Sequence, residues 1–266
     1  MEGMNEKGLS AGLFYFPDYG KYEEYSEANH ETNISDFQLV SYILGRCATV
    51  DEVKAEIARV HIHGFDPRSS TVHWRFAEPS GRQIVLEIID GKCVFYENTL
   101  GVLTNSPSFD WQLTNLNNYV NLMPGKADSH TLGNMSLSSF GGGSSMLGLP
   151  GDFTPPSRFV RAAFFQSTAS VKPTAGESVF QAFHILGSME IPIGAQFAVG
   201  EAPADIPSAT QCTCVTDMSG LRFYYRSMYD GGIRCIDLKE IDFKKIGLKS
   251  EPLIPSRKEF VHYIRF

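Results

Sequence analysis

The residues best suited to chemistry sit in the tetrapeptide Thr104-Asn105-Ser106-Pro107. Asn105 carries a carboxamide, with two N–H donors and one carbonyl acceptor. Held rigidly and aimed at a bound carbonyl, such a group stabilises an oxyanion. The alternative is a turn asparagine that only closes a loop. Either way it sits at punctuation. Val102 and Leu103 end an apolar run that reads as a buried strand. Pro107 cannot donate to a sheet ladder, and it pushes Ser106 towards an extended backbone. Phe109, Leu113, Leu116 and Val120 then recur at helical spacing. The sequence therefore predicts a polar mouth between a strand and a helix.

Five cysteines are the other candidate nucleophiles: Cys47, Cys93, Cys212, Cys214 and Cys235. Cys47 falls between two predicted helices and Cys93 at a strand start. Cys212 and Cys214 share one strand and are read as facing opposite sides of it. His61 and His63, with His73 nearby, offer two same-face metal ligands, but no third ligand is forced by the pattern. The run Gly141-Gly142-Gly143-Ser144-Ser145 lacks the Gly-Lys-Ser/Thr that a phosphate-cradling loop requires. No cofactor or metal is expected.

The elements that must position these groups follow from periodicity. Gly8 to Phe16 reads as a strand, followed by a polar, tyrosine-rich excursion to Asn33. Phe37, Val40, Ile43 and Leu44 mark a helix. A second helix starts at Thr49, where Glu52 completes a capping-box pattern. Val72, Trp74 and Phe76 alternate with His73 and Arg75, as in a half-buried strand. Pro79-Ser80-Gly81 turns the chain into a partner strand, Gln83 to Ile89. Cys93 to Tyr96 and Leu100 to Leu103 read as further strands. Met123 to Gly148 is the loosest region. Thr154 and Pro155 open a helix, and another is read from Glu177 to Leu186. After a loop from Pro192 to Ala209, strands return at Thr210–Val215, Leu221–Ser227 and Gly232–Leu238, with a turn at Tyr229-Asp230-Gly231-Gly232. Strands, then helices, then strands, without βαβ alternation, predict an α+β fold.

Composition bounds the rest. A chain of 266 residues with 42% hydrophobic content is sized for one large domain, 1–266. A net charge of −7 argues against nucleic-acid partners. No apolar run approaches the roughly 20 residues of a bilayer span, and the start has no signal-peptide core. Five scattered cysteines fit reduced thiols in a cytoplasm better than a disulfide framework.

Two long motifs carry a family resemblance: GVLTNSPSFDWQLTNLNNYVNL from Gly101 and GLPGDFTPPSRFVR from Gly148. With Met4 to Leu9 (MNEKGL), the block around Phe183-His184-Ile185-Leu186 and the strand from Leu221 to Arg226, the whole chain resembles the choloylglycine hydrolase family of bile salt hydrolases and penicillin V acylases. The resemblance implies a four-layer αββα sandwich of the N-terminal nucleophile hydrolase type and a homotetramer, with Met123 to Gly148 in subunit contacts. It implies a small-molecule amide substrate, penicillin V or a conjugated bile salt, cleaved at a linear amide bond.

It also implies site residues. The family nucleophile is an N-terminal cysteine whose own α-amino group is the base. Asn105 matches the asparagine beside the oxyanion, and Arg158 the arginine near the nucleophile. A fixed guanidinium there favours a thiolate. Tyr15 matches an oxyanion-hole position where acylases carry tyrosine and bile salt hydrolases asparagine, which tilts the reading towards the acylases. Tyr15 could equally be a core aromatic, and Arg158 a surface helix charge. By this resemblance Met1 lies inside the family pattern. About seventy preceding residues are expected to be missing, and with them the nucleophile and the first strands. None of the five cysteines is expected to replace it. A non-catalytic, ligand-binding homologue is the alternative.

Overall fold

Largely buried residues along β2 (Ser10–Tyr15), β5 (Val72–Ala77) and β6 (Gln83–Ile89) build the centre of the computed structural model. It describes residues 1–66, 70–201, 203, 209–258 and 260–265. With β1 (Glu2–Met4) and β7 (Lys92–Glu97) these strands form one antiparallel sheet, ordered β1-β2-β5-β6-β7. The short β3 (Asn33–Ser35) and β4 (His61–His63) pair in parallel beside it.

One face of the sheet is covered by α1 (Leu39–Leu44) and α2 (Val50–Ile57). Trp74, Phe76, Ile84, Leu86 and Ile88 from the sheet pack with Leu39, Ile43, Val50, Val53 and Ile57. Each such buried side chain contributes roughly 1.5–3 kcal/mol, which makes this cluster the main stabilising core. The Thr49 hydroxyl caps α2 by accepting from the Glu52 amide. The predicted capping pair is therefore present, although the Glu52 carboxylate reaches back to Ala48 N rather than to Thr49.

The opposite face is covered as well. There α3 (Phe109–Asn115) and α4 (Pro155–Thr168) gather Phe109, Phe159 and Ala163 over Val85 and Val102. This corrects the half-buried reading of β5: His73 is fully buried and Arg75 partly so, because helices lie on both sides. Between the two helices an exposed hairpin, β8 (His130–Leu132) and β9 (Met135–Leu137), occupies the loose region.

Beyond α4, Thr174 opens α5 (Ala175–Gly187) with a full capping box to Glu177. Sequence reading started this helix two residues too late. The chain ends in an antiparallel meander of β10 (Cys212–Asp217), β11 (Arg222–Ser227) and β12 (Asp230–Asp237), with α5 against β10. Two antiparallel sheets with helices packed against them make the fold α+β. No described helix is long and apolar enough to cross a membrane.

Three more expectations are corrected. Leu100 to Leu103 is not a strand. The Asn98 side chain accepts from Gly101 N and donates to Val102 O, so the backbone is satisfied by a turn. Gly101 sits at φ +74°, which favours glycine. The helix after Pro107 stops at Asn115 and tightens to 3₁₀ geometry over Leu116–Tyr119, leaving Leu113 and Val120 exposed. The last hairpin pairs Ser227 with Asp230, so Met228 and Tyr229 make its turn. Part of the loop read at 192–209 lies outside the described residues.

Candidate active site

The Thr104-to-Phe109 segment is fastened at nearly every residue. His73, on the α3/α4 face of β5, lies 3.1 Å through Nε2 from the Thr104 carbonyl. A carbonyl only accepts, so Nε2 carries the proton. His73 Nδ1 lies 3.1 Å from Glu87 Oε1 on the neighbouring strand, and that oxygen also accepts from Phe109 N at 2.9 Å. One buried His–Glu pair thus holds both ends of the segment. Both side chains are 0% exposed. Phe16 stacks on the His73 ring at 4.4 Å, which ties the end of β2 to the same support. Ser106 donates to Pro17 O at 2.5 Å, and the Ser106–Pro107 peptide is cis. Thr104 Oγ1 donates to Pro155 O at 3.0 Å, joining the segment to the start of α4.

Asn105 stands on this support. Arg158, in the first turns of α4, donates from Nη2 to Asn105 Oδ1 at 2.7 Å. A guanidinium has no acceptor, so this contact fixes the orientation of the amide. Nδ2 then faces β2 and donates to the Tyr15 carbonyl at 2.6 Å. Its second N–H has no hydrogen-bond partner among the described residues. Gln112 Nε2 reaches Asn105 O at 3.4 Å. Arg158 is steadied by a 3.0 Å bond from Nε to Phe153 O. It has no carboxylate partner among the described residues. Burial, then the neighbouring Arg161, pulls its guanidinium below the ordinary value.

The N-terminal end of α4 explains why Arg158 is so placed. Thr154 is the N-cap residue with Pro155 at the first helical position, as predicted, but its hydroxyl makes no capping bond. Instead the Asp152 carboxylate takes Thr154 N at 2.9 Å, Thr154 Oγ1 at 2.6 Å and Ser157 Oγ at 2.7 Å. The bonds from Thr154 and Ser157 hold its carboxyl down at about 2. Arg161, buried one turn further on, donates to Pro150 O at 2.8 Å and Asp152 O at 2.5 Å, folding the Gly148-to-Phe153 turn onto the helix.

Tyr15, Asn105 and Arg158 therefore come together from three separate elements. Tyr15 takes part through its carbonyl. Its ring is 56% exposed, which excludes the core-aromatic alternative. His73, Glu87 and Arg161 were missed as site supports. The sequence signal was Glu87 inside an apolar run; His73 sits at a polar position of its strand's alternation and gave none.

The cysteines lie elsewhere. Cys47 is buried with Ile43 and Val50, and burial pushes its thiol up. Cys93 and Cys235 are exposed. Cys212 and Cys214 do not face opposite sides, as read from sequence. Residues two apart on a strand share a face, and their sulfurs are 3.6 Å apart. No described cysteine bonds to Asn105, Arg158 or Tyr15. His61 pairs with Glu23 at 3.0 Å, and no group of three or more metal-ligating side chains occurs among the described residues.

Residues 1–251 match the family model for linear amide C–N hydrolases, choloylglycine hydrolase family. The chain belongs to the choloylglycine hydrolase family. Among curated relatives, a bile salt hydrolase/transferase of Clostridium perfringens is 35% identical over 90% of this chain and 72% of its own length. That of Lactiplantibacillus plantarum is 34% identical over 98% and 79%. A penicillin V acylase of Pectobacterium atrosepticum is 29% identical over 92% and 64%. Among solved structures, a variant of conjugated bile acid hydrolase from Clostridium perfringens superposes with TM-score 0.84 at 30% identity, covering 99% of this chain and 79% of that one. Penicillin V acylase from Agrobacterium tumefaciens superposes at 0.69 with 25% identity, covering 91% and 67%. Membership supports the α+β reading and linear amide hydrolysis as the chemistry of the family.

Proposed function

We propose that this chain carries the oxyanion-side half of a linear amide hydrolase acting on conjugated bile salts. The observation that carries the reading is the fixed carboxamide of Asn105. Arg158 orients it, Tyr15 O holds one N–H, and the second N–H is left to donate to a carbonyl oxygen as it gains charge. Arg158, a half-buried cation without a carboxylate partner, would favour a thiolate brought beside it. The four-layer αββα arrangement and a homotetramer belong to the same reading.

The nucleophile in this proposal is none of the five cysteines present. Cys47 is enclosed in apolar core, and the other four lie on strands that do not carry the Asn105 cluster. The same observation supports a second reading, in which the chain is a ligand-binding homologue without turnover.

Bile salts are preferred over penicillin V because the bile salt relatives are more similar over more of their length. Tyr15 is a weaker guide than its residue type suggests. The bond it makes uses the carbonyl, which any residue supplies. The test is hydrolysis of glycocholate and penicillin V by two purified forms. One is residues 1–266, and the other is the same chain preceded by an in-frame, cysteine-led extension. Turnover of glycocholate by the extended form alone supports the proposal. Turnover by 1–266 alone would place the nucleophile inside the chain and overturn it. Inactivity of both folded forms supports the ligand-binding reading.

A further inference from the structure

The first and third residues of β10 put two thiols side by side. Cys212 and Cys214 have their sulfurs 3.6 Å apart, within hydrogen-bonding contact for sulfur, and both are partly buried. They open onto a cavity of about 640 Å³ that the Asn105 cluster does not line. Across it stand Ser10 and Phe14 of β2 and Arg75 of β5, with α5 forming a side wall. Neither family membership nor the proposed hydrolysis uses this dithiol.

The surroundings favour reaction at one sulfur. When the pair loses a proton, the Cys214 S–H donates to the Cys212 sulfur. That bond lowers the Cys212 thiol from its ordinary value and raises that of Cys214. Arg75 makes only long contacts, 3.4 Å to Gln83 Oε1 and 3.5 Å to Ser10 Oγ. It has no ion pair among the described residues, although Glu2 lines the same cavity. A cation bonded to no carboxylate, with Glu2 acting on it only through space and Glu190 taken by Arg226, faces a space walled by two thiols.

We propose that Cys212 and Cys214 form a thiol–disulfide exchange site for small carboxylate-bearing disulfides, with Arg75 receiving the carboxylate. The Cys212 thiolate attacks one sulfur of the small molecule, whose S–S bond breaks. One small thiolate leaves with the electron pair and takes a proton from solvent. Cys214 gives its proton to solvent and attacks the Cys212 sulfur, which releases the second small thiol. The protein dithiol is oxidised by two electrons, and one disulfide is reduced to two thiols. Closure draws the strand together locally. Two residues of strand span about 6.6 Å, at the upper end of the roughly 4.4–6.8 Å over which disulfides join Cα atoms, and the two Cβ atoms must approach to about 3.5–4.5 Å, so β10 bends at Thr213.

The test uses the reduced 266-residue chain with limiting anionic 5,5′-dithiobis(2-nitrobenzoate) or cationic cystamine, then alkylation and peptide mapping. The exposed Cys93 and Cys235 serve as internal standards. Cys212 and Cys214 are expected to lose alkylation together, several-fold faster than either standard. Two reporter thiolates should be released per pair, with no adduct retained. The selectivity should vanish in urea. Cys214→Ser should stop at an adduct on Cys212. Arg75→Gln should slow the anionic reagent and leave cystamine unchanged. Should either variant fail to fold, the wild-type preference for the anionic over the cationic reagent, each scaled to Cys93, still decides the role of Arg75. Cys212 reacting no faster than the standards, or a stable adduct on the wild type, would overturn the exchange site. Equal treatment of the two reagents would overturn the carboxylate contact.

Discussion

Arg158 decides which way the Asn105 carboxamide faces. Its Nη2 donates to Asn105 Oδ1 at 2.7 Å, and Nδ2 is left to donate to Tyr15 O at 2.6 Å. Reversing the amide would set an N–H group against a guanidinium and a carbonyl against a carbonyl. The donor direction is therefore built in before any substrate arrives, which is what oxyanion stabilisation requires.

Removing that guide should free the amide to rotate. In a turnover-competent form, Arg158→Met is expected to lower kcat for glycocholate more than it raises KM. The crystal structure of the variant should show the Asn105 side chain in more than one orientation. An unchanged single orientation would show that Tyr15 O alone suffices.

Tyr15 contributes its backbone. Tyr15→Phe and Tyr15→Asn should both keep the Asn105 contact, because neither changes the carbonyl. The expected outcome in steady-state assays is nearly constant kcat with altered KM, since the ring is open to contact with a bound ligand.

His73 and Glu87 carry the segment from beneath. Replacing either by alanine leaves a buried polar partner uncompensated and should cost about 3–5 kcal/mol by urea denaturation, as for other broken buried pairs. A loss below about 1 kcal/mol would mean that water replaces the missing group.

Asp152 gives a pH signature. Its folded carboxyl lies at about 2 against an ordinary 3.8, so its stabilising contribution is present above the ordinary value and is lost as pH falls towards about 2. Asp152→Asn should therefore be less stable than wild type at neutral pH, with the difference closing across that window. Chemical denaturation at several pH values would reveal it. A gap that persists at pH 2 would contradict the assignment.

Much of this was legible in the sequence where one physical pattern dominated. The strands at Ser10–Tyr15 and Gln83–Ile89 read as short, largely apolar runs between turn signals, and both meet the helical core. Asn105 and Arg158 were picked out by motif and meet in space although separated by 53 residues. The rest depended on what lies across the sheet. His73 reads as a solvent-facing residue until α3 and α4 cover its face. Leu100 to Leu103 reads as a strand because local apolar content cannot reveal that the Asn98 side chain has taken over its backbone bonds. Thr154 is the N-cap of α4, as its sequence context says, but the sequence does not reveal that its hydroxyl is turned to Asp152, whose carboxylate ties Thr154 to Ser157.

The most direct test of the site is the rate of glycocholate hydrolysis by a turnover-competent form with and without Asn105→Ala. The account predicts a fall in kcat of about 10²–10³-fold, as for loss of one oxyanion donor, with KM changed far less and the fold retained. A kcat within about twofold of wild type, a difference of less than about half a kcal/mol in the barrier, would contradict it.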